Sequence, residues 1–180
     1  SEIVNSLGKK NLVLYFHNDP LTMSGSKSIN ERKYLLKICY KIIFNSNWSK
    51  KRFLEGMQNK FVNSEKLLVV FQSAKKINII PKNKKKEITF VGKLNKSKGY
   101  DIFGKAVLKI LKKYPDWKAN VAGDEQRDKI EFNHKNLRNY GFISHKKVID
   151  IYKRTSIAVV CSRWEEPFGR TSLEASSAGC

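Results

Sequence analysis

No apolar run in the chain approaches the roughly 20 residues that a membrane-crossing helix needs. The amino end also lacks the charged segment, apolar stretch and cleavage site of an export signal. Cysteine is scarce. Cys39, Cys161 and Cys180 are too few and too unevenly spaced for a disulfide framework, and they show no zinc-ligand spacing. A reducing, cytoplasmic setting without a metal is the expectation. There is no internal repeat and no low-complexity tract beyond the lysines. Acid is scarce too: 16 Asp and Glu stand against 36 Lys and Arg, a formal net charge of +20. That surplus favours an anionic partner, whether nucleotide, nucleic acid or bilayer surface, without choosing among them. Asn and Ile are abundant beside Lys, as in proteins of AT-rich genomes, so part of the surplus carries no functional meaning. An initiator Met is missing as well. The chain starts at Ser1 and stops where Gly179 closes a helix, so a piece of a longer protein is expected.

What is present is a core-forming fraction of 41% apolar residues in 180, enough for one full domain or two incomplete ones. Asn11 to His17, NLVLYFH, reads as a buried strand ending in the polar turn Asn18, Asp19, Pro20. A helix is expected near Ser28 to Lys37, a strand over Lys41 to Asn45, a helix capped by Ser46, and a strand over Lys66 to Phe71. Pro81 to Glu87, PKNKKKE, has no apolar residue and reads as the linker between a first domain, 1–80, and a second, 88–180. The pattern then restarts. Strands are expected over Ile88 to Val91, Trp117 to Ala122, Leu137 to Tyr140 and Ser156 to Cys161. Helices are expected over Gly99 to Lys113, over His145 to Lys153 and after Gly169. Strands alternating with helices indicate parallel α/β architecture.

In open parallel sheets ligands bind at the carboxyl ends of the strands, and three polar clusters fall there. Gly92 to Gly99, GKLNKSKG, puts Lys93 and Lys98 in a loop leading into a helix, a sensible clamp for phosphate oxygens and equally an ordinary lysine-rich turn. It is not a Walker loop, whose residue order is absent. Ala122 to Glu125, AGDE, reads as a tight turn. The third cluster is WEEPFGRTSLEASSAG, Trp164 to Gly179. Pro167 presets a turn, and Gly169, Arg170 and Thr171 would offer free amides at a helix tip that attracts phosphate. If the stretch between them is helical, Glu166 and Glu174 lie about 12 Å apart on nearly one side. Such acids can hold sugar hydroxyls at either end of a sugar diphosphate nucleotide. They can equally be a dipole-favoured acid and a solvated helix position.

Together the clusters resemble the retaining GT-B glycosyltransferases, the "group 1" family 4. VGKLNKSKG matches a strand followed by G-[RK]-L-x-x-x-K-G; VAGDE matches a strand followed by Gly-Asp; VVCSRWEEPFGRTSLE matches a strand, Ser and E-x7-E. The match covers Ile88 to Cys180 well and the first seventy residues loosely. The resemblance implies two Rossmann-like domains with parallel sheets, both incomplete here, and an active site in the cleft between them. The first domain would be the later part of the acceptor-side domain, and the second the donor-binding one.

The reaction implied is transfer of a sugar from a nucleotide-diphosphate sugar with retention at the anomeric carbon, with no cofactor and no metal. Lys93 and Lys98 would contact the diphosphate, Glu166 the transferred sugar and Glu174 the ribose. Phe168 and Gly169 would occupy the turn facing sugar and phosphates, with the amides of Arg170 and Thr171 beyond it. Tyr140 to Phe142 would meet the nucleobase. His17 matches the amino-domain histidine near the transferred sugar and equally fits a histidine hydrogen-bonded at a strand end. His17, Lys98 and Glu166 are thus the catalytic candidates. At 12 Å the two glutamates are too far apart for retaining hydrolysis, which needs about 5 Å.

The sequence departs from the family pattern at Lys93, where Arg is usual, at Pro167, where Gly is common, and at Asn18, where Asp is frequent. A point charge at Lys93 replaces a bidentate grip. Other readings of the same residues are an epimerase or phosphorylase of the same fold, a non-catalytic sugar-nucleotide module, and a basic nucleic-acid-binding domain. The last is disfavoured because most aromatics fall inside strands or apolar helix faces. The acceptor would be a sugar or a lipid-linked sugar, and the charge invites peripheral contact with an anionic membrane.

Overall fold

The computed structural model of the chain describes residues 12–58, 61, 64–80, 82, 84–127 and 130–180. Asn11, Pro81 and Asn83, which the sequence assigns to the first strand and the linker, lie outside them. The chain divides into two compact units, Ser1–Gln72 and Ser73–Cys180. Residues 73–80, expected to close the first domain, therefore belong with the second unit.

The first unit holds strands β1 (Val13–Phe16), β2 (Lys41–Phe44) and β3 (Leu67–Val69) in one parallel sheet, order β1-β2-β3. Helices α1 (Ile29–Ile38) and α2 (Asn47–Leu54) connect them. α2 starts after Ser46, the cap the sequence names, and α1 starts after Ser28, where the sequence expects a helix to begin. Ser28 accepts from the Glu31 amide while the Glu31 carboxylate takes the Ser28 amide, a reciprocal capping box, and Ser46 accepts from the Ser49 amide. The alternating inward residues of β1 and β2 meet α2 in a ring cluster of Phe16, Phe44 and Phe53, with centroids 5.2 to 5.6 Å apart. Phe16, Phe44 and Val69 share one register level, so His17 and Asn45 emerge together at the carboxyl edge.

The second unit is a four-stranded parallel sheet, order β6-β5-β4-β7, made of β4 (Lys85–Val91), β5 (Lys118–Ala122), β6 (Leu137–Asn139) and β7 (Thr155–Val159). Helices α3 (Tyr100–Lys113), α4 (His145–Arg154) and α5 (Arg170–Ser177) cross over between strands or follow the last one. β4 starts at Lys85, three residues before the sequence suggests, so the end of the expected linker is strand. The reason lies far along the chain. Glu87 is buried because its carboxylate accepts from Arg154 Nε at 3.0 Å and from Asn120 Nδ2 at 2.7 Å. A buried acid needs such partners, and no local pattern announces them.

One face of this sheet packs Phe90 and Val121 against Tyr100, Phe103 and Val107 of α3. The other packs Ala122 against Val148, Tyr152, Ala175 and Ala178 of the later helices. The helix end at Gly179 is a Schellman motif: the Cys180 amide donates to Ala175 O at 3.0 Å and the Gly179 amide to Ser176 O at 2.9 Å. Lys84 Nζ then ties the ends of α4 and α5, donating to the carbonyls of Tyr152, Thr155 and Ala178 at 2.9, 2.8 and 2.6 Å. A cation belongs there, where two helices expose unpaired carbonyls.

Candidate functional site

The register Val91↔Ala122 and Val121↔Asn139 brings Gly92, Gly123 and Gly141 to one edge of the second unit. The Gly92 amide donates to Ala122 O at 3.0 Å and the Gly123 amide to Gly141 O at 2.9 Å, so the loops leave the sheet stitched by backbone. A Cβ on Gly123 would stand 1.8 Å from Gly92 O, with φ +147. The AGDE segment is therefore more than a tight turn: it permits a close approach of two main chains that any side chain would prevent.

The loop after β4 and the loop after β7 are bound to each other. The Arg163 amide donates to Ser97 O at 2.8 Å. Its guanidinium donates to Lys96 O at 2.6 Å and to both Asp101 carboxylate oxygens at 2.7 and 2.9 Å. The Cys161 thiol donates to Gly99 O at 3.1 Å, and burial pushes that thiol's pKa up. Gly99 is the α3 N-cap in the left-handed region (φ +73), and a Cβ there would lie 2.0 Å from Cys161 O. Asn95 links this pair of loops to a third: its Nδ2 donates to Glu125 Oε2 at 3.2 Å. Glu125 is also held by the Arg127 guanidinium, which draws its carboxyl down to about 2.

The Arg163 fork likewise draws the Asp101 carboxyl down to about 2. A carboxyl whose pKa is lower folded than unfolded stabilises the fold above its unfolded pKa of about 4. It loses that contribution as the pH falls through the folded value. Asp101→Asn should therefore melt below the wild type at pH 6, with the gap closing between pH ~4 and pH ~2. Melting curves across that range check this, and a gap unchanged at pH ~2 would show that the fork is not its cause.

Between these loops lies a pocket lined by Gly92, Lys98, Ser162, Glu166, Gly169 and Thr171. Lys98 Nζ and the Glu166 carboxylate form an ion pair across it. Gly169 is the N-cap of α5, and no side chain caps that helix. The structure thus brings Lys98, Glu166, Gly169 and Thr171 together, 68 residues apart in sequence at the ion pair.

It does not bring Glu174 to the same pocket. α5 begins at Arg170, since Pro167 and the left-handed Gly169 keep the preceding residues out of the helix, and the helical spacing expected between the two acids does not apply. Glu174 lines a neighbouring depression with Lys75, Ile77, His145, Ile149 and Arg170. There its Oε1 lies 3.0 Å from Arg170 Nη2 and 3.1 Å from His145 Nε2. The α5 tip separates the two acids, with Thr171 on one side and Arg170 on the other. Lys93 is exposed and lines neither pocket. Phe142 stands 87% exposed just past the end of β6, and Phe168 is half-buried.

His17 belongs to the first unit. Its carbonyl accepts from the buried Asn45 side chain at 2.9 Å, and Asn45 in turn accepts from Ser49 Oγ at 2.6 Å. Gln72 Nε2 lies 2.8 Å from His17 Nδ1. An amide nitrogen only donates, so Nδ1 accepts and the ring proton sits on Nε2.

The sequence reading missed His145, Gln72 and the Arg163–Asp101 fork. His145 alone carried a signal, as the first residue of a helix that follows a strand end. Among the described residues no three His, Cys, Asp or Glu side chains converge as a metal site. No helix among them is long and apolar enough to cross a membrane.

A family model described as glycosyl transferases group 1 matches residues 72–180. Spore coat protein SA of Bacillus subtilis (strain 168) is 31% identical over 108 residues, 53% of this chain and 29% of that protein. Anabaena Alr3699/HepE, solved in complex with UDP-glucose, superposes with a TM-score of 0.74 at 16% identity, over 98% of this chain and 54% of its own. The pneumococcal O-GlcNAc transferase GtfA, solved with UDP and GlcNAc, gives 0.68 at 16% identity, over 99% and 38%. The chain spans about half or less of the length of these relatives.

Proposed function

Because the chain belongs to the glycosyl transferases group 1 family and has the α/β GT-B fold with both domains incomplete, we propose that it is part of a glycosyltransferase. The donor we propose is a nucleotide-diphosphate sugar of the hexosyl type, and the transfer proceeds with retention of anomeric configuration. HepE and GtfA were solved with UDP-glucose and with UDP and GlcNAc, which supports a donor of this class. Ser73–Cys180 would be the donor-binding unit, and Ser1–Gln72 the later part of the acceptor-side domain. The site is cytoplasmic in this reading, working on a sugar or lipid-linked acceptor at an anionic membrane face.

The observation that carries the reading is the pairing of Lys98 with Glu166 beside an uncapped helix tip. The amides of Gly169, Arg170 and Thr171 receive the diphosphate, helped by Lys98 and by Lys93 as a point charge. Glu166 then holds hydroxyls of the transferred sugar and Glu174 the ribose, with Arg170 and His145 keeping the Glu174 carboxylate in place. Phe168 faces the sugar and phosphates and Phe142 the base; for His17 the resemblance alone suggests a role near the transferred sugar. In the chemical step the bond from the anomeric carbon to the leaving phosphate oxygen breaks. The acceptor oxygen bonds to that carbon on the same face, and its proton passes to the departing diphosphate. Cations and amides aimed at the growing phosphate charge lower the barrier most.

A thermal-shift panel of nucleotide sugars on the full-length protein tests this, repeated with Glu174→Ala. A ligand at about 100 times its Kd stabilises by ~2.7 kcal/mol, so a clear upward shift is expected with one donor and a much smaller one in the mutant. No shift with any nucleotide sugar, or equal shifts in both proteins, would defeat the reading.

A further inference from the structure

The long helix of the second unit carries an exposed face to which the proposed sugar transfer gives no role. α3 buries Tyr100, Phe103, Gly104, Val107 and Leu111 against the sheet. Its opposite face exposes Ile102, Lys105, Ala106, Lys109, Lys112 and Lys113, and no acid lies among them. Seven cations elsewhere among the described residues of this unit are paired with acids: Lys86 with Asp116, Lys98 with Glu166, Arg127 with Glu125, Lys153 with Asp150, Arg154 with Glu87, Arg163 with Asp101 and Arg170 with Glu174. Among the described residues the four α3 lysines have no ion-pair partner. Lys105, Lys109 and Lys113 repeat at four-residue spacing, where like charges oppose the helix. An anionic partner relieves that repulsion.

We propose that this face of α3 docks the protein on an anionic phospholipid surface. The four ammonium groups lie within eight rises, about 12 Å, on one convex stripe. A convex stripe offers no groove to cradle a single polyanionic strand, whereas a plane of headgroups meets all four charges at once. Both ends carry side chains suited to the headgroup region. Tyr114 follows the last turn at 46% exposure, Ile102 in the first turn is 44% exposed, and Trp164 is 47% exposed beside the Arg163 that grips Asp101 of the first turn. Near an anionic leaflet each lysine contributes about fivefold to partitioning, so four contribute a few hundredfold. The Arg163 fork makes the docking consequential: the loop that bears Glu166 is tied to the helix lying on the membrane. A lipid-linked acceptor would then reach the crevice from the surface that holds it. This last consequence rests on the sugar-transfer reading, while the docking does not.

The test is co-sedimentation of the full-length protein with phosphatidylcholine vesicles, with and without about one-third phosphatidylglycerol, at low and moderate salt. Two variants each lose four exposed charges: Lys105, Lys109, Lys112 and Lys113→Gln, and the control Lys27, Lys33, Lys37 and Lys51→Gln. Partitioning onto the anionic vesicles should fall at least ~50-fold in the α3 variant and less than ~4-fold in the control. Equal losses would overturn the proposal, because the attraction would then belong to net charge alone. Equal binding to uncharged vesicles would overturn it too, as would an α3-dependent affinity for single-stranded RNA with none for vesicles. The thermal shift with nucleotide sugar should persist in the α3 variant, which separates failure here from failure of the functional reading. Should that variant fold poorly, the wild type still decides: vesicles should blue-shift its tryptophan emission, and Trp164→Phe should abolish most of the shift.

Discussion

Glu166→Gln in the full-length protein is expected to lower kcat/KM for sugar transfer by about 10²- to 10³-fold, or ~3–4 kcal/mol. The magnitude follows from what the carboxylate does in the proposed function. It accepts charged hydrogen bonds from sugar hydroxyls, each contributing ~1.5–3 kcal/mol, and the amide keeps the shape but loses the charge. Folding should hardly change, because Glu166 sits in the loop before α5 with about a third of its side chain open to solvent. Lys98→Met should cost a similar factor. The double variant should lose less than the product of the two, since both act through one pair. Steady-state kinetics with the donor found by thermal shift checks this. Retention of more than a third of the activity in Glu166→Gln would remove Glu166 from the transferred sugar.

Gly99→Ala is expected to destabilise the second unit by about 3–5 kcal/mol and to abolish donor binding with it. Two penalties add. Alanine in the left-handed region costs ~1–2 kcal/mol, and the new methyl collides with a main-chain carbonyl that cannot rotate away. The collision is with Cys161 O at 2.0 Å, where the loop carrying Lys98 rests on the loop carrying Glu166. Gly141→Ala is the matched control. It has φ +64 with nothing within 4 Å of its Cβ position, so it should cost only about 1 kcal/mol. Urea unfolding of both variants measures the difference, and similar midpoints would mean that the loops do not pack as described.

Much of this was legible in the amino-acid order, for reasons that differ from element to element. Ser28, Ser46 and Gly179 act on amides and carbonyls within a few residues of themselves, so their caps could be read locally. The clusters at the strand ends could be placed because parallel strands all end at one edge. What escaped depends on distant partners. Glu87 is a buried strand residue only because Asn120 of the neighbouring strand and Arg154 at the end of α4 meet it. His145 reaches Glu174 from another helix. The two glutamates looked like neighbours on one helix face, but a proline and a left-handed glycine delay the helix until Arg170. Short-range spacing cannot show on which side of a helix tip a side chain will settle.

The meeting of Gly92 and Gly123 has a consequence for how such a site could change. With 1.8 Å between the Gly92 carbonyl and the place a methyl would need, the sheet edge there is bare main chain. Main chain carries no side-chain identity, so in the proposed function altering preference between donors falls to the exposed side chains of the strand-end loops, such as Phe142. Variation there leaves the foundation untouched, and a library confined to those loops is the economical way to redirect this scaffold.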